Sequence, residues 1–202
     1  MPPVARRYEE VEVGKILARS EGTVRPSEVG RNQAGTGHAE IKHSLGGTGR
    51  SHVKTSKEKM LAHGTASSPT TYHWGEQVRA TTLVLNSDAG QKALEFLDSA
   101  GRGSKQVEIT YCFEAAVRAG KLLDFIGGQK GIVPLAAERG ILVVEKDAVG
   151  LFIYTSYPET TRDPGLKPGD GAFSVSYWPG DGGYKPYSQS YRVRKGGGLE
   201  EL

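Results

Sequence analysis

One stretch decides the fold class of this chain: residues 141–158, which read ILVVEKDAVGLFIYTSYP. It holds two apolar runs, ILVV and LFIY, on either side of the polar connection KDAVG. Two strongly β-forming runs at this spacing predict an antiparallel β-hairpin. Side chains two apart on a strand point to the same face, so the hairpin presents the hydroxyls of Thr155 and Tyr157 together. Pro158 then ends the strand.

Other patterns predict helices before the hairpin. Thr55 and Glu58 form a capping box that begins a short helix, and Gly64 ends it. A second helix is predicted over residues 87–101, and its apolar face consists of Ala89, Ala93, Leu94, Leu97 and Ala100. A third helical pattern runs over residues 116–126 and stops at a pair of glycines.

Short β-branched or alternating segments predict strands at residues 11–13, 78–85 and 107–111. In the tail, residues 173–177 and 187–191 both alternate, which predicts either a second hairpin or an extended aromatic and basic arm. The expected fold class is α+β: short N-terminal helices packed on a small, mainly antiparallel sheet, with an additional C-terminal β-hairpin or arm.

Composition divides the chain into three regions. Residues 1–50 form a polar, glycine-rich N-terminal segment, and residues 159–202 form an extension rich in Pro, Gly and Tyr. Between them, residues 51–158 carry nearly all of the periodic patterns, so a catalytic α+β domain is expected there.

Bulk properties exclude several classes of protein. The 202 residues carry a net charge of +3, which is compatible with a polyanionic substrate without requiring one. No stretch reaches the roughly 18–20 apolar residues that cross a bilayer, and the N-terminus does not resemble a secretory signal. The single cysteine, Cys112, excludes an intrachain disulfide and a multi-cysteine zinc site. A monomer without a cofactor, a metal or a membrane partner is expected.

Imidazoles and hydroxyls are the candidate chemical groups of the predicted domain. His52 precedes the capped helix and His63 stands at its end. A histidine near its ordinary pKa can act as general base or general acid, while Thr155 and Tyr157 can donate hydrogen bonds to phosphate oxygens. Imidazoles and hydroxyls without metal ligands nearby suit phosphodiester chemistry, and Lys54 could bind the substrate.

A resemblance joins these segments. The His52-Val53 pair before a short helix, the small residues 66–68 and the sequence Thr-Ser-Tyr-Pro at 155–158 resemble the RNase A-like toxin domain of bacterial contact-dependent inhibition and other polymorphic toxins. The resemblance covers about residues 51–158. It implies an endoribonuclease that needs no metal, acts on RNA, in particular tRNA, and is neutralised by a cognate immunity protein, here expected to be acidic. It also implies secretion, or delivery into the cytoplasm of a target cell.

Carried over by position, the resemblance implies that His52 is the catalytic histidine and that Thr155 and Tyr157 are the paired hydroxyls. The arginine of the family pattern falls on His63, which makes His63 a candidate second imidazole. A rival alignment starts from the Gly-His pair at residues 37–38 and assigns the catalytic role to His43.

Two alternative functions stay open, and a third, zinc-dependent deamination, is excluded. The sequence His63-Gly64-Thr65 resembles a strand of NAD-dependent ADP-ribosyltransferases, with Glu145 as the candidate catalytic glutamate. A non-enzymatic nucleic-acid-binding protein would stack bases on Trp178 and the tail tyrosines, with phosphates on Arg192, Arg194 and Lys195. The His-Ala-Glu sequence at 38–40 matches half of a zinc deaminase signature, but the chain lacks the paired cysteines of the other half.

Overall fold

A computed structural model describes most of the chain outside its glycine-rich segments. The described residues are 6–28, 35–39, 44–45, 70–99, 104–124, 130–161, 163–178 and 187–202. The capping box and four residues given roles above lie outside them, namely His43, His52, Lys54 and His63.

Eight strands form one sheet within the described residues, which confirms the α+β class. Its centre is β3, which pairs along one edge with β4; β4 in turn pairs with β5. The other edge of β3 pairs with β6 near its start and with β2 near its end, and β7 and β8 continue from β6. All pairings are antiparallel except that of β1 with β2. The strands are β1 Ser44–Leu45, β2 Thr70–His73, β3 Ser104–Asp124, β4 Lys130–Lys146, β5 Leu151–Glu159, β6 Gly171–Trp178, β7 Tyr187–Arg194 and β8 Gly198–Glu201.

The described helices are α1 Glu10–Ser20, α2 Trp74–Asn86 and α3 Asp88–Asp98, together with a 3-10 helix at Pro26–Glu28. The prediction of α3 is confirmed. The Ser87 hydroxyl accepts a hydrogen bond from the Gly90 amide at its N-terminus, as a capping side chain should. The buried residues of α3 are Ala89, Gly90, Ala93, Leu94 and Leu97, which include four of the five predicted apolar positions.

Two predicted strands are wrong, because each lies within a helix. Residues 78–85 belong to α2, where the Thr81 and Thr82 hydroxyls donate to the carbonyls of Gln77 and Val78, one turn earlier. Those bonds and burial in the core outweigh the modest strand preference of β-branched residues. Residues 11–13 belong to α1, because three alternating residues cannot distinguish a strand from the first turn of a helix.

The helix predicted over residues 116–126 is also wrong, because β3 continues as a strand to Asp124. A bulge shifts the register between Cys112 and Val117. A bulge interrupts the strict two-residue alternation of side chains, and so the spacing of apolar residues around it resembles a helical period.

Both predicted hairpins are confirmed. In the first, β4 pairs with β5, and a bulge at Tyr154 separates the pair Val144–Ile153 from the pair Val143–Thr155. In the tail, β6 pairs with β7 as a hairpin rather than an extended arm. Because β6 also pairs with β3, the C-terminal region belongs to the same sheet as the first hairpin.

The two faces of the sheet differ sharply. One face packs on α2 and α3, and its central row is buried on the five strands from β5 to β7: Ser156, Leu142, Ile109, Phe173 and Tyr191. The other, called here the second face, carries Thr155, Tyr157, Val143, Ile141, Glu108, Thr110 and Ser174. The 3-10 helix covers the Glu145 end of the second face, and the middle of that face is buried at Ile141, Val143 and Thr155.

Within the part of the chain that the structure describes, no helix has the length and apolar character required to cross a membrane.

Candidate active site

The C-terminal half of β5 places two hydroxyls on the second face. Thr155 lies opposite Val143 and Tyr157 lies opposite Ile141, so the two side chains emerge on one side of the sheet as their spacing predicts. Both positions lie on β5, which pairs with β4 and with no other described strand. The two hydroxyls therefore lie in adjacent cross-strand rows of the second face, beside the buried apolar side chains of Val143 and Ile141 on β4.

The hydroxyl of Thr155 is buried without a hydrogen-bond partner in the structure. The residue is only 6% exposed, and its Oγ1 atom is among the buried polar atoms that no donor or acceptor satisfies. Most buried polar groups are paired, because an unpaired hydroxyl costs about 1–3 kcal/mol. An unpaired buried hydroxyl is an exception that calls for an explanation, and a role in binding a ligand is one such explanation.

Tyr157 is half-buried and remains a neutral hydrogen-bond donor. Burial raises the pKa of its phenol, and the carboxylates of Glu108 and Glu159 raise that pKa further, against an opposing effect of Arg139. A phenol with a raised pKa keeps its proton at neutral pH. Tyr157 can therefore donate a hydrogen bond to an oxygen on which negative charge develops.

Glu108 is a polar residue of this face that sequence patterns did not single out. It lies on β3 opposite Val143, and therefore in the same cross-strand row as Thr155. Part of the side chain is exposed, but its neighbours exclude water from part of the carboxyl, and this partial burial raises the pKa of Glu108, as does the negative charge of Glu159. Alternation along residues 107–111 already placed Glu108 on the polar side of its strand, but only the register of the sheet brings it to Thr155.

An imidazole lies beside the residue that precedes Thr155. The His38 backbone amide donates to the Tyr154 carbonyl oxygen at 2.9 Å, and the two rings meet edge to face with 4.5 Å between their centres. The His38 Nδ1 atom lies 2.9 Å from the Thr36 carbonyl oxygen, which places the proton of the neutral ring on Nδ1. Nε2 is then the basic nitrogen of His38.

A buried ion pair supports this edge of the site. The Arg25 guanidinium donates to Glu145 from Nε at 2.9 Å and from Nη2 at 2.6 Å, and it stacks on the Tyr154 ring at 3.8 Å. The amide and hydroxyl of Ser27 also donate to the Glu145 carboxylate. Glu145 is 1% exposed, so its carboxylate holds the 3-10 helix rather than facing a substrate, which counts against the ADP-ribosyltransferase alternative.

A second ion pair lies at the other end of β5. Arg139 on β4 pairs with Glu159 on β5, and Asp163 lies 3.8 Å from the same guanidinium. Arg139 is two residues from Ile141 along β4, so its side chain is on the second face near Tyr157. The face thus carries a guanidinium close to the hydroxyl pair.

The aromatic residues of the tail take part in the core. Tyr191 is 7% exposed and stacks on Phe173 with 5.0 Å between the ring centres. It also packs against Phe96 of α3. Tyr191 therefore cannot stack on bases without disrupting the core, and the basic residues predicted beside it form ion pairs: Arg192 with Glu200, Arg194 with Asp170 and Lys195 with Glu114.

Among the described residues, no group of three or more His, Cys, Asp and Glu side chains is arranged to hold a metal ion. No protein family, curated protein or solved structure matches this chain. The functional argument therefore rests on the chemistry of the residues.

Proposed function

We propose that this protein is a ribonuclease toxin that cleaves RNA, in particular tRNA, without a metal ion. The observation that carries the proposal is the unpartnered Thr155 hydroxyl on the same face as Tyr157, next to the tyrosine that His38 contacts. Phosphodiester cleavage by a ribose hydroxyl needs proton transfer and stabilisation of negative charge at phosphorus, which an imidazole and hydroxyl donors can supply.

The reaction breaks one bond at phosphorus and forms another. The ribose 2′-oxygen attacks the adjacent phosphorus and loses its proton to a base, while the bond to the 5′-oxygen breaks and that oxygen takes a proton from an acid. The products are a 2′,3′-cyclic phosphate and a 5′-hydroxyl. Thr155 and Tyr157 donate to the non-bridging oxygens, on which charge accumulates as the bonds change.

Among the described residues, His38 is the imidazole that the geometry supports for proton transfer, as acid toward the 5′-oxygen. His52 and His63 stay predictions for the same chemistry, as does Lys54 for substrate binding. Neutralisation by an acidic immunity protein and delivery into the cytoplasm of a target cell are parts of the same proposal, because a free intracellular ribonuclease would harm the cell that makes it.

Removing the Tyr157 hydroxyl tests the proposal. Wild type should convert total tRNA in EDTA to fragments with 2′,3′-cyclic phosphate ends, and Tyr157→Phe should cleave about 100-fold more slowly, since one donor to a developing oxyanion has roughly that effect. Tyr111→Phe is the matched control because Tyr111 lies on the helix-covered face of β3, where it packs against Phe113. Intact tRNA with wild type, or equal rates for Tyr157→Phe and Tyr111→Phe, would contradict the proposal.

Single alanine variants of His38, His52 and His63 assign the imidazole in the same assay. His38→Ala should show the largest loss of cleavage if the described geometry holds the working histidine. A larger loss in His52→Ala or His63→Ala, with His38→Ala as active as wild type, would transfer the role to the segment that the resemblance implies.

A further inference from the structure

We propose that a cleft on the helix-covered side of the first hairpin binds a neutral nucleoside, at a site separate from the second face. The cleft has a volume of about 360 Å³, and pockets that hold small ligands usually measure about 300–1,000 Å³. Three parts of the chain line it: the segment before α1, helix α3, and the end of β4 with the start of β5. The inference does not rest on the proposed ribonuclease function, because it concerns the other side of the sheet.

The floor of the cleft is apolar. Tyr8, Leu94 and Leu151 border the open volume, and all three are buried. The exposed Arg6 also lines the cleft, and its guanidinium lies 4.8 Å from the centre of the Tyr8 ring. Aromatic rings and guanidinium planes are the groups on which proteins stack nucleobases. The floor therefore suits a planar aromatic ligand, whose ring leaves water on binding.

Side-chain hydrogen bonds hold both walls of the cleft in place. Asn86, at the end of α2, donates to the Tyr8 carbonyl oxygen and accepts from the Tyr8 amide, each at 2.8 Å. On the opposite wall, the Asp147 carboxylate accepts from two backbone amides of the turn between β4 and β5, and Arg19 donates to the Leu151 carbonyl oxygen. A ligand does not have to order walls that are already fixed, which favours its affinity.

The charges at the rim are already paired, which favours a ligand without net charge. The ion pairs are Lys146 with Asp98, Arg6 with Glu12 and Lys92 with Glu95. A phosphate or an amine would have to compete with one of these partners for its binding group. A neutral ligand leaves every pair intact.

The pair of Lys146 and Asp98 also offers a hydrogen-bonding pattern that a nucleobase complements. An ammonium has several donor hydrogens and a carboxylate has several acceptor sites, so their contact leaves a donor and an acceptor side by side. A base edge carries an N–H donor next to an acceptor, as in the amino group and ring nitrogen of adenine. One base edge can therefore accept from Lys146 and donate to Asp98 while its ring covers the apolar floor.

Adenosine is the probe, and isothermal titration calorimetry measures its binding to the whole chain. We expect saturable binding with a Kd of about 0.1 mM, which is usual for a ligand of this size. The double variant Lys146→Met and Asp98→Leu removes the donor and the acceptor at two exposed positions and keeps the net charge. It should bind adenosine at least about 10-fold more weakly. The matched control is Arg192→Met with Glu200→Leu, which removes an ion pair away from the cleft and should bind like wild type.

Three results would overturn the inference: no saturable binding of adenosine, equal affinity in the Lys146→Met and Asp98→Leu variant, or tighter binding of inorganic phosphate than of adenosine. Tyr157→Phe should bind adenosine as wild type does, because Tyr157 is on the second face. Loss of binding in that variant would place the nucleoside on the second face and contradict the cleft. Cleavage of tRNA is a separate measurement, so adenosine binding without cleavage would support the cleft and remove the proposed function.

Discussion

Gly90→Ala is expected to destabilise the protein by about 3 kcal/mol, although alanine is normally the better helix former. Gly90 lies in the first turn of α3, where the end of α2 approaches closely. A Cβ atom on Gly90 would lie 2.1 Å from the Val84 carbonyl oxygen and 2.7 Å from that of Leu85. Neither oxygen can move without separating the two helices, so the clash outweighs the gain in helix propensity.

Gly75→Ala is the matched control for Gly90→Ala. Gly75 lies in the first turn of α2, and nothing lies within 4 Å of the position its Cβ would take. Alanine there should stabilise the protein by up to about 1 kcal/mol. Urea unfolding of both variants measures the difference. Equal free energies of unfolding for the two variants, or a Gly90→Ala variant as stable as wild type, would contradict the described packing of α2 on α3.

Glu145→Gln is expected to destabilise the protein by about 3–5 kcal/mol, the cost of leaving a buried charge without its partner. The Arg25 side chain is 11% exposed and gives two hydrogen bonds to Glu145. Glutamine removes the negative charge, and the amide nitrogen that replaces Oε2 cannot accept the hydrogen bond that the Ser27 backbone amide donates there. The 3-10 helix should therefore lose its main attachment to β4.

Removing both charges distinguishes a charge effect from a loss of packing. The double variant Arg25→Met and Glu145→Leu should be more stable than Glu145→Gln, because no unpaired charge stays buried. Glu200→Gln removes one partner of the exposed pair with Arg192 and should change the free energy of unfolding by less than about 1 kcal/mol. A double variant no more stable than Glu145→Gln would show that the unpaired Arg25 charge does not cause the loss of stability in Glu145→Gln.

Local patterns were sufficient for some elements of this fold and insufficient for others. The hairpin of residues 141–158 and helix α3 carry strong periodicity and end signals, and both are confirmed. The strand predicted at residues 78–85 is a helix because packing on the sheet decided between two modest propensities. The continuation of β3 past Val117 depended on a bulge, whose position follows from pairing with β4 rather than from residues near it.

The residues of the candidate site also fall into two groups: those that local patterns predict and those that only the folded sheet brings together. That Thr155 and Tyr157 share a face follows from their spacing alone. Glu108 and Arg139 join them only through the register of β3, β4 and β5, which brings together residues far apart in the chain. His38 reaches the site because its segment hydrogen-bonds to the bulge at Tyr154, a contact that no local pattern encodes.

Thr155→Val gives the most direct test of the claim that the second face acts on a substrate. Valine keeps the shape of threonine and removes the unpartnered hydroxyl, so the protein should become more stable by about 1 kcal/mol. Thr81→Val is the control: its buried hydroxyl donates to the Gln77 carbonyl at 2.7 Å and contacts the Ser156 hydroxyl at 2.8 Å. That variant should lose about 1 kcal/mol of stability.

The decisive measurement is tRNA cleavage in EDTA by these two variants alongside their unfolding free energies. The ribonuclease account expects Thr155→Val to be more stable than wild type yet at least about 10-fold slower, and Thr81→Val to be less stable with cleavage unchanged. A Thr155→Val variant that cleaves as fast as wild type would contradict the account.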